Sequence, residues 1–175
     1  MPGAQTFALC TAGNGGDTRV RFKSALSHQK AGVAPGKVLR YQASIKNTDK
    51  RVAVQGLALT VQLPAAGVAY LGSKSSHAFA ILSTGEAGAG KASYRRAKSL
   101  RAFVNTTVTP ATVTWSDLAL PPRKGMRFSV HVRVANQGVV RGMPLVFRGA
   151  LYQQLPANGL PYCSSASVNQ TVLVK

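Results

Sequence analysis

Acidic residues are nearly absent. Asp17, Asp49, Glu86 and Asp117 stand against 22 lysines and arginines in 175 residues, a formal net charge of +18. Four scattered carboxylates are a poor basis for general acid/base chemistry, so no enzyme of that kind is expected. The field of such a chain disfavours packing of like surfaces and draws in polyanions: nucleic acid, acidic polysaccharide or anionic lipid. Cysteine is scarce as well. Cys10 and Cys163 lie near opposite ends; in an oxidising compartment their bridge closes almost the whole chain and is worth roughly 2–5 kcal/mol. In a reducing compartment they are two small buried hydrophobes. No apolar run reaches the ~20 residues of a membrane span. The opening MPGAQTFALC lacks the basic start and apolar centre of a signal peptide, which leaves a processed chain or one kept inside the cell. A sustained 3.6-residue apolar period and internal repeats are also missing, so helices are not expected.

What the chain does have is alternation. Within 113–136, Met126, Phe128, Val130, Val132 and Val134 alternate with Arg127, Ser129, His131 and Arg133, the period of a half-buried strand. Pro121-Pro122 and Gly125 make the turn before it. Val113 and Trp115 share a parity, so the indole is expected in the same core. Over 38–47, Leu39, Tyr41, Ala43 and Ile45 point inward, with Arg40, Gln42, Ser44 and Lys46 outward. Residues 18–26 read as an edge strand: Val20 and Phe22 alternate with a cationic row, Arg19, Arg21 and Lys23, of the kind that keeps an edge from pairing. Leu57, Leu59, Val61 and Leu63 share one phase and Val52 and Val54 the other, so Gly56 marks a bulge or sheet switch.

Shorter β segments are expected at 7–10, 68–71, 102–115, 145–155 and 168–174. From 72 to 100 the pattern fades into Gly, Ala and Ser around KASYRRAKSLR. That stretch reads as a long basic loop insertion, to which 79–82 lends a short strand. The sum is an all-β chain, an antiparallel β-sandwich forming a single domain over 1–175.

The densest cationic run is Lys91, Arg95, Arg96, Lys98 and Arg101, with Tyr94 among them. It suits phosphate or sulfate groups, each contact releasing counterions; a solvated loop is the plainer reading. Arg127, His131 and Arg133 share one outer sheet face, beside Arg40 and Lys46 of a neighbouring strand. A flat basic face suits an extended acidic polymer or an acidic subunit, or is simply solvated. Asn105-Thr-Thr and Asn169-Gln-Thr are N-glycosylation sequons. His28, His77 and His131 are scattered and lack partners at ligand spacing, so neither a metal nor a cofactor is expected. No nucleophile elbow occurs, and GEAGAGK at 85–91 lacks phosphate-loop spacing. A Lys–Asn isopeptide crosslink assisted by Asp117 is conceivable in a sandwich used mechanically.

Three pieces of this chain fall in a known order: VAPGKVLRYQASIKN (33–47), LPAAGVAYLGS (63–73) and VTWSDLALPPRKGMRFSVHVRV (113–134). The order resembles the DUF11-type repeat domain of bacterial, archaeal and some algal surface proteins, over roughly 33–136. The resemblance implies an immunoglobulin-like sandwich used as a structural or adhesive module outside the cell. Departures are the basic charge, the single copy and Gln62 where the family has Asp. The extensions 1–32 and 137–175 and the insertion within 74–101 have no counterpart and are candidates for contacts between subunits.

The function expected is therefore that of a non-enzymatic, extracellular or cell-surface structural protein. It would be a subunit of a fibre, sheath or wall layer, a homo-oligomer or filament whose cationic surfaces bind acidic or sulfated polysaccharide or acidic partner subunits. The alternative is a nucleic-acid-binding sandwich such as a viral coat subunit. Coat proteins concentrate charge in an N-terminal arm, whereas residues 1–18 hold no lysine or arginine.

Overall fold

The computed structural model describes residues 8–9, 19–85, 90–155 and 160–175, with side chains described over 19–85, 90–153 and 168–175. These residues form strands and no helix: β1 (Ala8–Leu9), β2 (Val20–Leu26), β3 (Val38–Asn47), β4 (Val54–Gln62), β5 (Val68–Ser75), β6 (His77–Ser83), β7 (Ser93–Ser99), β8 (Phe103–Asn105), β9 (Thr112–Leu120), β10 (Gly125–Val134), β11 (Pro144–Leu155) and β12 (Leu160–Leu173). A four-stranded sheet in the order β2-β3-β10-β5 faces a six-stranded sheet in the order β1-β12-β11-β4-β9-β8, and β6 and β7 pair separately. Every pairing between these strands is antiparallel except β1 with β12, and Val33 bridges Val174 in parallel. The architecture is an immunoglobulin-like antiparallel β-sandwich.

Alternation builds the core as the sequence implies. Leu39, Tyr41, Ala43 and Ile45 of β3 and Met126, Phe128, Val130, Val132 and Val134 of β10 are all buried, facing Leu57, Leu59, Val61, Val113, Trp115, Leu145, Phe147 and Leu151 of the other sheet. The Tyr41 ring stacks on Phe147 at 5.7 Å, and Trp115 tilts over Phe128 at 4.9 Å. A Cβ on Gly149 would overlap the Tyr41 hydroxyl, so glycine there makes room for the tyrosine. Burial pushes that hydroxyl's pKa up to about 12. The Ser24 hydroxyl tempers the rise without satisfying hydrogen-bond geometry. Gly56 does mark a bulge: its φ is +70°, and the pairing of β4 with β9 slips between Val54 and Leu57.

One expectation changes. The stretch read as a long basic loop carries regular structure. β5 runs on to Ser75, and β6 and β7 then form a hairpin, so KASYRRAKSLR supplies a strand. Its pattern is faint because the residues anchoring it to the core are mostly small, Ala78, Ala92 and Ala97, with Phe79 and Leu100 partly buried beside them. The flanks of 33–136 are built into the sheets. β2 forms an edge of the four-stranded sheet, and β11 lies inside the six-stranded one. Gln170 Nε2 donates to the Ser24 carbonyl at 3.1 Å and Gln29 Nε2 to Gln170 Oε1 at 2.8 Å, stitching β12 to β2 and its turn.

Asn47, at the end of β3, is buried. Its Nδ2 donates to the carbonyls of Val52 at 2.8 Å and Leu120 at 3.1 Å, and its Oδ1 accepts the Asp49 N–H at 2.9 Å. Leu120 closes β9, so this one amide pins the two sheets together. At the other end of the sandwich two turns meet the end of β10. The N–H of Gly36 donates to the Val134 carbonyl at 2.8 Å, that of Ala135 to the Gly67 carbonyl at 2.9 Å, and Val134 bonds back to Lys37 at 2.8 Å.

Candidate functional site

The outer face of the four-stranded sheet is cationic throughout. Its strands carry seven lysines and arginines, namely Arg21 and Lys23 of β2, Arg40 and Lys46 of β3, Arg127 and Arg133 of β10, and Lys74 of β5, and contain no Asp or Glu. All seven are exposed. Register arranges them in transverse rows: Arg21 opposite Lys46, then Lys23, Ser44 and Arg127, then Gln42, Ser129 and Lys74, then Arg40 beside His131. Inward neighbours on each strand are apolar, which holds the charges on the solvent side by alternation alone. The short side chains of Ala25 and Ser44 leave a shallow groove of about 400 Å³ between Lys23 and Arg127, with Gln42 on its margin.

The strands fix several of these groups through the backbone. The Arg127 N–H donates to Ser76 Oγ at 2.9 Å and the Arg40 N–H to Ser27 Oγ at 2.9 Å. Arg133 Nη1 donates to the Gly36 carbonyl at 2.9 Å, so this guanidinium also holds a turn. Partial burial lowers the pKa of His131, and the Arg40 and Lys74 charges lower it further. Near neutral pH the imidazole is an uncharged patch amid cations.

The other expected cations lie elsewhere. Lys91, Arg95, Arg96, Lys98 and Arg101 are exposed on or beside the β6–β7 hairpin, with Arg96 opposite Phe79 and Arg95 opposite Ala80. Tyr94 meets Phe79 edge-on at 5.8 Å, an aromatic contact within the hairpin. The two cationic groups read from sequence thus stay apart: the 91–101 run lies on or beside the hairpin, and Arg127 and Arg133 lie on the four-stranded sheet. Sequence reasoning left out Lys74, because its strand extends past a bulge near His131 that shifts the pairing. Arg21 and Lys23 were visible, but only as guards of an edge.

Asn105 ends β8 and Asn169 lies in β12, exposed. Cys10 lies outside the described residues, as does the Cys163 side chain, and with them the disulfide. The backbone at 163 pairs with Ala8. His28, His77 and His131 sit on three separate elements, and no group of three or more His, Cys, Asp or Glu comes together among the described residues. The isopeptide arrangement is not present there. Asp117 is exposed at a left-handed bulge in β9, φ +55°, and Asn47 is the buried polar side chain, with no buried lysine beside it. No helix among the described residues is long and apolar enough to cross a membrane.

No family model and no curated protein matches the chain. Among solved structures it is similar to the major pilin subunit of Bacillus cereus, with TM-score 0.52 and 12% identity over 89% of this chain and 40% of that one. It is also similar to a cohesin module from a family 33 glycoside hydrolase of Clostridium perfringens, with TM-score 0.54 and 8% identity over 90% of this chain and 98% of that one. The collagen-binding domain of a Staphylococcus aureus adhesin gives 0.46 and 11% over 90% and 99%. The chain therefore spans less than half of the pilin subunit. At such identities the likeness is one of fold.

Proposed function

We propose that this chain is a non-enzymatic structural domain of an extracellular surface layer or fibre, docking on an acidic or sulfated polysaccharide through its four-stranded sheet. The observation that carries the reading is the row-by-row cationic face, seven lysines and arginines with no acid among its strands. A linear polyanion laid across such rows releases condensed counterions at each contact, a gain that needs no deep pocket. Outward positions on these strands hold no Phe, Tyr or Trp, so the face lacks the stacking platform that single-stranded nucleic acid exploits. That favours a sugar polymer over nucleic acid.

The surface setting is supported by the fold shared with the pilin subunit. It is also supported by the meeting at one end of the sandwich of the turn and strand-end pieces that resemble the DUF11-type domain. Assembly with like subunits belongs to the same reading; the cationic faces repel one another, so copies would associate through other surfaces or with polyanion between them.

The test is retention on immobilised sulfated polysaccharide, an uncharged polysaccharide and duplex DNA across a salt gradient. Binding to the sulfated matrix alone, or at clearly higher salt than to DNA, supports the proposal. Equal or tighter binding to DNA favours the nucleic-acid reading, and no binding to either polyanion ends both.

A further inference from the structure

The two sequons, distant in sequence, fall on one transverse row of the six-stranded sheet. Asn105 pairs with Thr112, Thr112 with Gln62, Gln62 with Arg148 and Arg148 with Asn169. Four strand-to-strand steps of about 4.8 Å put the asparagines about 19 Å apart, near opposite margins of the sheet. Val113, Val61 and Phe147, adjacent to the row's inner members, are fully buried, so alternation turns the row outward. At Asn105 the side-chain oxygen accepts the Thr107 N–H at 3.0 Å and the Thr107 hydroxyl at 2.7 Å. The first and third residues of the sequon are thus engaged with each other through the carbonyl side of the amide, leaving Nδ2 for substitution. The strands of this sheet contain one lysine or arginine, Arg148, against seven in the other sheet.

We propose that Asn105 and Asn169 both carry N-linked glycans, making the six-stranded face the sugar-covered side and the four-stranded face the bare, polyanion-docking side. The inference rests on the extracellular reading above. In each transfer the asparagine Nδ2 attacks the anomeric carbon of an oligosaccharide carried on a polyprenyl diphosphate. The C–N bond forms, the C–O bond to the diphosphate breaks, the amide gives up one proton and the lipid diphosphate leaves. No electron donor or acceptor is needed. Because each sugar grows from the face opposite the four-stranded sheet, it covers none of that sheet's seven lysines and arginines; Arg148 alone shares the row with the asparagines.

The experiment is glycopeptide mapping of the protein recovered from its source cells, with the cell exterior and interior separated. Exported protein carrying sugar at both positions is the expected result. Exported protein with either asparagine bare overturns this inference and leaves the surface reading intact. Protein found only inside the cell, unmodified, overturns both. Enzymatic removal of the native glycans should leave retention on sulfated polysaccharide within about twofold. By contrast, a sequon installed on the cationic face by Gln42→Asn with Ser44→Thr, once occupied, should cut retention by about tenfold or more through loss of several ionic contacts. Equal effects from sugars on the two faces would contradict the two-sided arrangement.

Discussion

At the residue scale, one buried amide ties the two sheets of the sandwich together. Asn47 satisfies the carbonyls of Val52 and Leu120 from a fully buried position. Asn47→Ala strands both carbonyls and the Asp49 N–H, and should cost about 2–4 kcal/mol in chemical denaturation. A loss below about 0.5 kcal/mol would show that water replaces the amide at no cost. The sequence marks Asn47 only as the end of a strand before a polar turn, because the carbonyl of Leu120 is distant in the chain and close only after the sheets stack. Tyr41 and Gly149 illustrate the same limit. Alternation placed Tyr41 inside, but no local pattern says that a missing Cβ across the core makes room for its hydroxyl.

His131 sets a pH dependence on the docking face. Its pKa is lowered by desolvation and by Arg40 and Lys74, so the folded protein binds its proton less readily than the unfolded chain does. As pH falls through the unfolded value near 6.5 and on through the lowered folded value, protonation costs stability. Protonation also adds a cation to the face, and a bound polyanion stabilises it. Affinity for sulfated polysaccharide should therefore rise as pH drops from about 7.5 to about 5.5, with the rise reduced in His131→Gln. A wild-type and variant pair with identical pH profiles would place the titration elsewhere.

At the element scale, the hairpin is where sequence and structure part. Its Ala-rich contacts bury too little side chain per residue to leave a two-residue period, so only the short strand at 79–82 is legible where the chain forms β6 and β7. The strands of the two main sheets were legible because each buries one face and solvates the other. Among the described residues β7 pairs with β6 alone, which leaves its outer edge, bearing Arg95, Arg96 and Lys98, without a strand partner there. Charges at such an edge oppose strand addition by another molecule. Replacing all three with threonine should leave the monomer folded but promote concentration-dependent association in sedimentation velocity. Unchanged sedimentation across the concentration range would assign those charges no guarding role.

At the scale of the whole molecule, charge is distributed by sheet. Composition disclosed the excess of +18, and alternation disclosed that Arg40, Lys46, Arg127 and Arg133 face outward. The sequence reading puts Arg40 and Lys46 on a strand beside Arg127 and Arg133, as β3 and β10 are; that β2 and β5 flank them follows only from which segments cross between layers. The sandwich converts a general positive charge into a face with rows, and leaves the opposite sheet with polar residues and both sequons. On the reading proposed above, one side of such a domain meets an acidic polymer and the other meets solvent or sugar. In that reading Lys91, Arg95, Arg96, Lys98 and Arg101 would add long-range attraction from a separate surface.

The most direct measurement compares two charge-matched triple variants on immobilised sulfated polysaccharide, Arg21, Lys23 and Arg127 to alanine against Arg95, Arg96 and Lys98 to alanine, with melting temperatures checked for both. The sheet-face variant should lose about tenfold or more in affinity and show a shallower dependence on salt, while the hairpin variant loses only a few-fold. Equal losses from the two would mean that net charge alone, and no particular face, holds the polymer.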